Sequence, residues 1–196
     1  MNLLLTTDQI IGISVGVGIG VIVLAIIIWA ISTHNKFVAL TSQYEEAFST
    51  IDVYLKKRFD LIPNIVETVK GYAKHESETF LKVTEARAKL GAATTPEEKI
   101  EADKQLSQAI RNFNVVMERY PELKANVNFM DLQNQLKSIE SELANSRKYY
   151  NATVRVFNAK RQSFPSSIVA NCMKLKKQPY FTVDSDEERR NVKVSF

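Results

Sequence analysis

A chain of 196 residues carries 26 Lys and Arg against 22 Asp and Glu, a formal net charge of +4. So small a surplus, mixed in sign along the chain, argues against a nucleic-acid partner, whose footprint gathers basic residues in a run or on one face. A single cysteine, Cys172, excludes an intrachain disulfide and suits a reducing compartment, and two histidines, His34 and His75, leave little for metal chemistry.

Residues 1–9 form a short flank without Lys or Arg, and residues 10–31 follow without a single charge. At about 1.5 Å rise per residue such a helix is about 33 Å long, enough to cross a bilayer core of about 30 Å. A cleaved signal would begin with basic residues and have a shorter apolar core, so an uncleaved single-pass anchor is expected. Gly12, Gly16 and Gly20 fall at i, i+4 and i+8 on one face. Small residues at that spacing let two membrane helices approach closely, which makes this face a candidate for homo-oligomer packing, the alternative being glycines of the kind common in membrane helices. Trp29 suits the aromatic belt at the membrane surface. Lys36 is the nearest flanking Lys or Arg, which is expected to put the N-terminus outside, with the remainder in the cytoplasm beneath the cell membrane.

After the span only Gly71 and Gly91 remain, which favours long helices. The expected fold is all-α: the N-terminal transmembrane helix continues into the first helix of a long antiparallel four-helix bundle over residues 34–165. Phe37, Leu40, Tyr44, Ala47, Ile51 and Leu55 make the apolar stripe of a first helix over 34–58. Asp60-Leu61-Ile62-Pro63 reads as a tight turn, because Pro63 lacks a backbone donor and disfavours helical dihedrals at Ile62. A second helix over 63–90 carries Ile65, Val66, Val69, Ala73, Phe80, Val83 and Leu90, and Gly91 is expected to end it in the left-handed conformation. A third helix over 95–120 starts with Thr95 as cap, Pro96 in the first position and Glu98 closing a capping box. A fourth, over 128–164, repeats apolar residues three and four apart from Phe129 to Phe157, as a bundle or coiled-coil seam does.

Three reversals return the chain towards the membrane. Residues 166–179 are therefore read either as a segment dipping into the interface, with Lys174, Lys176 and Lys177 meeting acidic headgroups, or as a cap over the end of the bundle. The tail over 180–196 reads as mostly irregular, with brief strands at 180–183 and 192–196 as the alternative.

No catalytic set emerges. His75-Glu76-Ser77-Glu78-Thr79 begins like a zinc-hydrolase motif but lacks the second histidine, and no Gly-rich phosphate loop or Gly-x-Ser-x-Gly elbow occurs. No catalytic, cofactor-binding or metal residue is assigned, and no cofactor is implied. Asp52, Arg58, Glu67, Arg87, Glu140 and Arg147 lie beside the apolar stripes and are candidates for interhelical pairs that set register, the alternative being ordinary flanking charges in water. The glycosylation sequon Asn151-Ala152-Thr153 sits in a strongly helical stretch and reads as accidental.

Several stretches, in order, resemble the LemA family of bacterial membrane proteins. They include Asp60-Leu61-Ile62-Pro63-Asn64, Val66-Glu67-Thr68-Val69-Lys70-Gly71-Tyr72-Ala73, Glu85-Ala86-Arg87-Ala88, Tyr120-Pro121-Glu122-Leu123-Lys124-Ala125, Arg147-Lys148-Tyr149-Tyr150-Asn151, Phe164-Pro165 and Pro179-Tyr180-Phe181. The resemblance implies a membrane helix carrying a helical bundle. It implies no enzymatic residues, and through a relative in magnetic bacteria it suggests membrane organisation. The expected function is a non-enzymatic membrane-anchored scaffold or adaptor whose partners are the lipid bilayer, membrane-associated proteins and further copies of itself. The alternatives are a signal relay hinged at Pro63 and, more remotely, an unrecognised enzyme.

Overall fold

The structure is a computed structural model and describes residues 7–181. Six helices follow one another: α1 (Thr7–Lys70), α2 (Ser77–Ala92), α3 (Pro96–Met117), α4 (Pro121–Ala125), α5 (Val127–Gln162) and α6 (Ser166–Cys172). No strand occurs among the described residues, so the fold is all-α as expected. The expected short N-terminal flank falls partly, and the alternative strands at 180–183 and 192–196 almost wholly, outside the described residues.

α1 is 64 residues long and carries the apolar stretch near its start, exposed from Gly12 to Ile28 and long enough to cross a membrane. Ile and Val dominate that stretch and are weak helix formers in water. In lipid the helix satisfies every backbone group internally, which outweighs their propensity.

The turn expected at Asp60–Pro63 is absent. α1 runs through Pro63 to Lys70, and Leu61, Ile62, Ile65 and Val66 are buried in the core. The reversal comes instead at 71–76, where Tyr72 and Ala73 donate their N–H groups to the carbonyl of Val69. The apolar residues assigned to one helix over 63–90 are thus divided among the end of α1, the reversal, which holds Ala73, and α2. Gly91 does not end α2 with a positive φ either; it stays helical and Ala93 caps in an extended conformation. The start of α3 is as expected. Thr95 Oγ1 accepts from the Glu98 N–H at 3.2 Å, and Glu98 Oε2 accepts from the Thr95 N–H at 3.1 Å. α5 begins at Val127, one residue earlier than expected, and the Asn126 side chain accepts from the Phe129 N–H at 3.0 Å.

Two compact units share the chain. The first comprises residues up to Gln43 with Val156–Lys177. Just beyond the apolar stretch, α1 turns Thr33, Phe37 and Leu40 inward at i, i+4 and i+7, and Phe37 meets Phe157 of α5 edge-on at 6.2 Å. α6 buries Ser166 and Ala170. It ends in a Schellman motif: the Leu175 N–H donates to the Ala170 carbonyl and the Lys174 N–H to that of Asn171, with Lys174 at φ 53°. Arg161 Nε donates to the Leu175 carbonyl at 2.7 Å and fastens this turn to α5.

Of the described residues, the second unit comprises Tyr44–Arg155 with residues 178–181. One apolar core runs through it from Ala47, Ile51 and Leu55 of α1 to Phe80 and Val83 of α2, Leu106 and Phe113 of α3, Leu123 of α4 and Leu136, Leu143 and Val154 of α5. Fully burying a side chain of this size stabilises by about 1.5–3 kcal/mol, so the core supplies the main driving force.

Candidate interhelical charge network

The most unusual side chain in the second unit is Arg58. It follows the core stripe of α1 and is completely buried. A charge without water must find fixed partners, and here they come from two other helices. Arg58 Nη1 donates to Asp103 Oδ1 of α3 at 2.8 Å, and Nη1 and Nη2 donate to Ser107 Oγ at 3.1 and 3.0 Å. Arg147 of α5 donates from Nη2 to the other carboxylate oxygen of Asp103. Glu140 of α5 lies 3.0 Å from Arg58 Nε, an ion pair without hydrogen-bond alignment. Two positive and two negative side chains thus meet where α1, α3 and α5 come together.

Loss of water dominates the electrostatics. Burial pushes the Arg58 guanidinium below its ordinary value, against the attraction of Glu140 and Asp103. Burial likewise pushes the Asp103 carboxyl up, against Arg147 and Arg58. Such a cluster adds little net stability but is costly to break in part. Ser107 is held as an acceptor by two guanidinium donors, an arrangement that does not activate its hydroxyl as a nucleophile. Among the described residues no group of three or more His, Cys, Asp or Glu side chains is arranged to hold a metal ion.

A second feature explains why α1 survives Pro63. With no N–H, Pro63 leaves the carbonyl of Phe59, four residues earlier, without its helical donor. Arg87 of α2 donates from Nε to that carbonyl at 2.8 Å, and its guanidinium lies over the Phe59 ring at 3.7 Å. One turn on, Gly91 leaves room for the same ring, since a Cβ there would stand 2.9 Å from Phe59 Cε2. Gly91 therefore serves a close approach of the Phe59 ring and not a left-handed backbone. The completed backbone also weakens the reading of Pro63 as a hinge.

The model of the LemA family matches residues 47–196. The chain belongs to the LemA family. It is 27% identical to Protein LemA of Metamycoplasma hominis, over 82% of this chain and 74% of the relative. It is 21% identical to the Magnetosome proteins MamQ 1 and MamQ 2 of Paramagnetospirillum magneticum, over 81% of this chain and 68% of each relative.

In this LemA-family chain, Arg58, Glu140 and Arg147 come together in one network. Asp52 pairs across helices with Lys99 of α3. Arg87 crosses to α1 but meets a carbonyl in place of a carboxylate. Glu67 makes no interhelical pair among the described residues; it bonds Lys70 one turn away on the exposed surface of α1, where the core stripe does not reach. Gly12, Gly16 and Gly20 lie on an open helix surface, where an added Cβ would meet nothing within 4 Å. Trp29 is half-buried, and Lys36, Lys174, Lys176 and Lys177 are exposed in the first unit.

Sequence reasoning missed Asp103 and Ser107. Their signal was present: they lie four apart and interleave with the buried Ala102, Leu106 and Ile110. It also missed what Asn151 does. Its Nδ2 donates to the Phe181 carbonyl at 2.8 Å, and its Oδ1 accepts from the Phe181 N–H at 2.9 Å. Tyr150 donates from its hydroxyl to the Pro179 carbonyl at 3.1 Å, and Phe181 packs edge-on against the Tyr150 ring at 5.5 Å. The chain beyond α6 is thereby fastened to α5, with both the nitrogen and the oxygen of the Asn151 amide bonded to Phe181.

Proposed function

We propose that this LemA-family protein is a non-enzymatic, membrane-anchored scaffold or adaptor that gathers membrane-associated proteins or organises the membrane itself. In this reading its N-terminus is outside and its second unit cytoplasmic. The observation that supports it best is the continuity of α1, which carries the apolar stretch and the buried Arg58 on one unbroken helix of 64 residues. A tether needs only a flexible link, whereas this connection is a helix without a break. The buried charges are spent on one another, so the surfaces left for partners are the outer faces. Likeness to proteins named for the magnetosome favours a part in membrane organisation.

Self-association through Gly12, Gly16 and Gly20 belongs to the same proposal, because an open small-residue face admits a second helix closely. Crosslinking the full chain in native membranes should give oligomers, and Gly16→Ile should weaken them. Strictly monomeric protein, unchanged by that substitution, would remove the oligomer claim. Co-purification from gently solubilised membranes should return the same membrane proteins reproducibly, and recovery of none would remove the scaffold.

A further inference from the structure

We propose that α6 and the turn after it form a second membrane contact, a surface that lies on the anionic headgroups beside the span. The proposal rests on reading α1 as a membrane helix, and two further observations on the first unit carry it.

The first is charge. Outside the apolar stretch, this unit holds Lys36, Lys160, Arg161, Lys174, Lys176 and Lys177, and from residue 10 onward not one Asp or Glu. Those six exceed the net charge of +4 for the whole chain, so all the rest sums to a small negative charge. The basic surplus of the protein is therefore concentrated in the unit that contains the span. It was invisible along the sequence because residues 32–43 and 156–177 are joined only by folding.

The second is the face that α6 presents. Ser166 and Ala170 are buried, whereas Ile168, on the other side of the helix, is 53% exposed and Phe164 just before it is 83% exposed. Lys174 also occupies a left-handed position where glycine is least strained, so a lysine stands there at some conformational cost. Apolar side chains beside lysines suit the headgroup boundary better than a soluble polyanion, since Phe and Ile gain by leaving water while each lysine meets lipid charge. Phe37 and Phe157 hold α5 to α1 just after the apolar stretch ends, and Arg161 of α5 holds the turn after α6 through the Leu175 carbonyl, which brings the surface to the bilayer.

The sole cysteine, Cys172, is exposed at the end of α6 and provides a natural probe. The full chain would be labelled there with an environment-sensitive NBD fluorophore and placed in nanodiscs of phosphatidylcholine alone or with phosphatidylglycerol. The emission should shift to the blue, and quenching by acrylamide should fall, in the anionic discs. Lys174→Gln with Lys177→Gln should lower the docked-to-undocked ratio about fivefold per lysine. Phe164→Ser with Ile168→Ser, both at exposed positions, should remove the shift while leaving the helical circular dichroism unchanged. A label that stays accessible to acrylamide in anionic discs, or whose shift ignores lipid charge, overturns the proposal. Failure of the chain to enter discs of either composition would instead overturn the membrane span.

Discussion

Arg58 is the residue on which the second unit turns, because it is buried, charged, hydrogen-bonded to α3 and ion-paired with α5. Removing it alone should leave Asp103 buried with Arg147 as its remaining charged partner. Arg58→Met is therefore expected to destabilise by about 3–5 kcal/mol. Removing Asp103 as well, as Leu, should recover most of that loss, since Arg147 and Glu140 remain partly in water. Urea unfolding of the purified protein followed by circular dichroism measures both, and a double variant as unstable as the single one would refute the account. Tyr150 offers a separate check. Burial, with smaller contributions from Glu97 and Tyr44, pushes its hydroxyl up from 10 to about 12. Between those values the unfolded chain ionises while the folded one holds its proton, so stability is full below pH 10 and falls as pH rises towards 12. Ultraviolet titration should show a tyrosine ionising near pH 12 that disappears in Tyr150→Phe.

At the scale of the element, α1 crosses a proline because α2 repairs it. If Arg87 serves the carbonyl that Pro63 orphans, the two substitutions must be coupled. Arg87→Ala alone should cost about 1–3 kcal/mol, the penalty of an unsatisfied buried acceptor together with a lost stack. In a Pro63→Ala background residue 63 regains its N–H and can serve the Phe59 carbonyl, so the cost of Arg87→Ala should fall by about 1 kcal/mol. A double-mutant cycle that returns strict additivity would sink the repair. The same element shows what was legible in the sequence. The stripes of α1, α3 and α5 and the Thr95 capping box depend on neighbours three or four residues apart, and local spacing reveals them. The passage through Pro63 depends on Arg87, and the small residue at 91 on Phe59, partners that only the fold brings near. Local rules correctly report Pro63 as a breaker and Gly91 as a terminator; tertiary contacts override both. Asp103 was hidden for a related reason, since an acid beside an apolar stripe usually faces water and only a buried arginine from another helix makes it an interior residue.

For the whole molecule, the question is whether the anchor acts on the second unit or only holds it. Among the described residues, the core of that unit draws nothing from before Tyr44. Deleting residues 1–31 should therefore leave its packing intact, with the Arg58 network and the Tyr150 ionisation near pH 12 unchanged. A scaffold and a relay respond differently to that deletion. In a scaffold the anchor supplies place, so the truncated chain keeps its amide-exchange protection around Arg58, Asp103 and Arg147 and loses its membrane-associated partners. In a relay the state of the anchor biases the core, so protection at those residues should change when the anchor is removed or when its helix is engaged by a second copy. Hydrogen exchange on the full chain in nanodiscs, on Gly16→Ile and on the truncated chain decides between them. Equal protection in all three favours the scaffold, because a core indifferent to its anchor has no way to carry a signal from it. Protection that follows the anchor would instead make the unbroken α1 a transmitting element and would displace the scaffold reading.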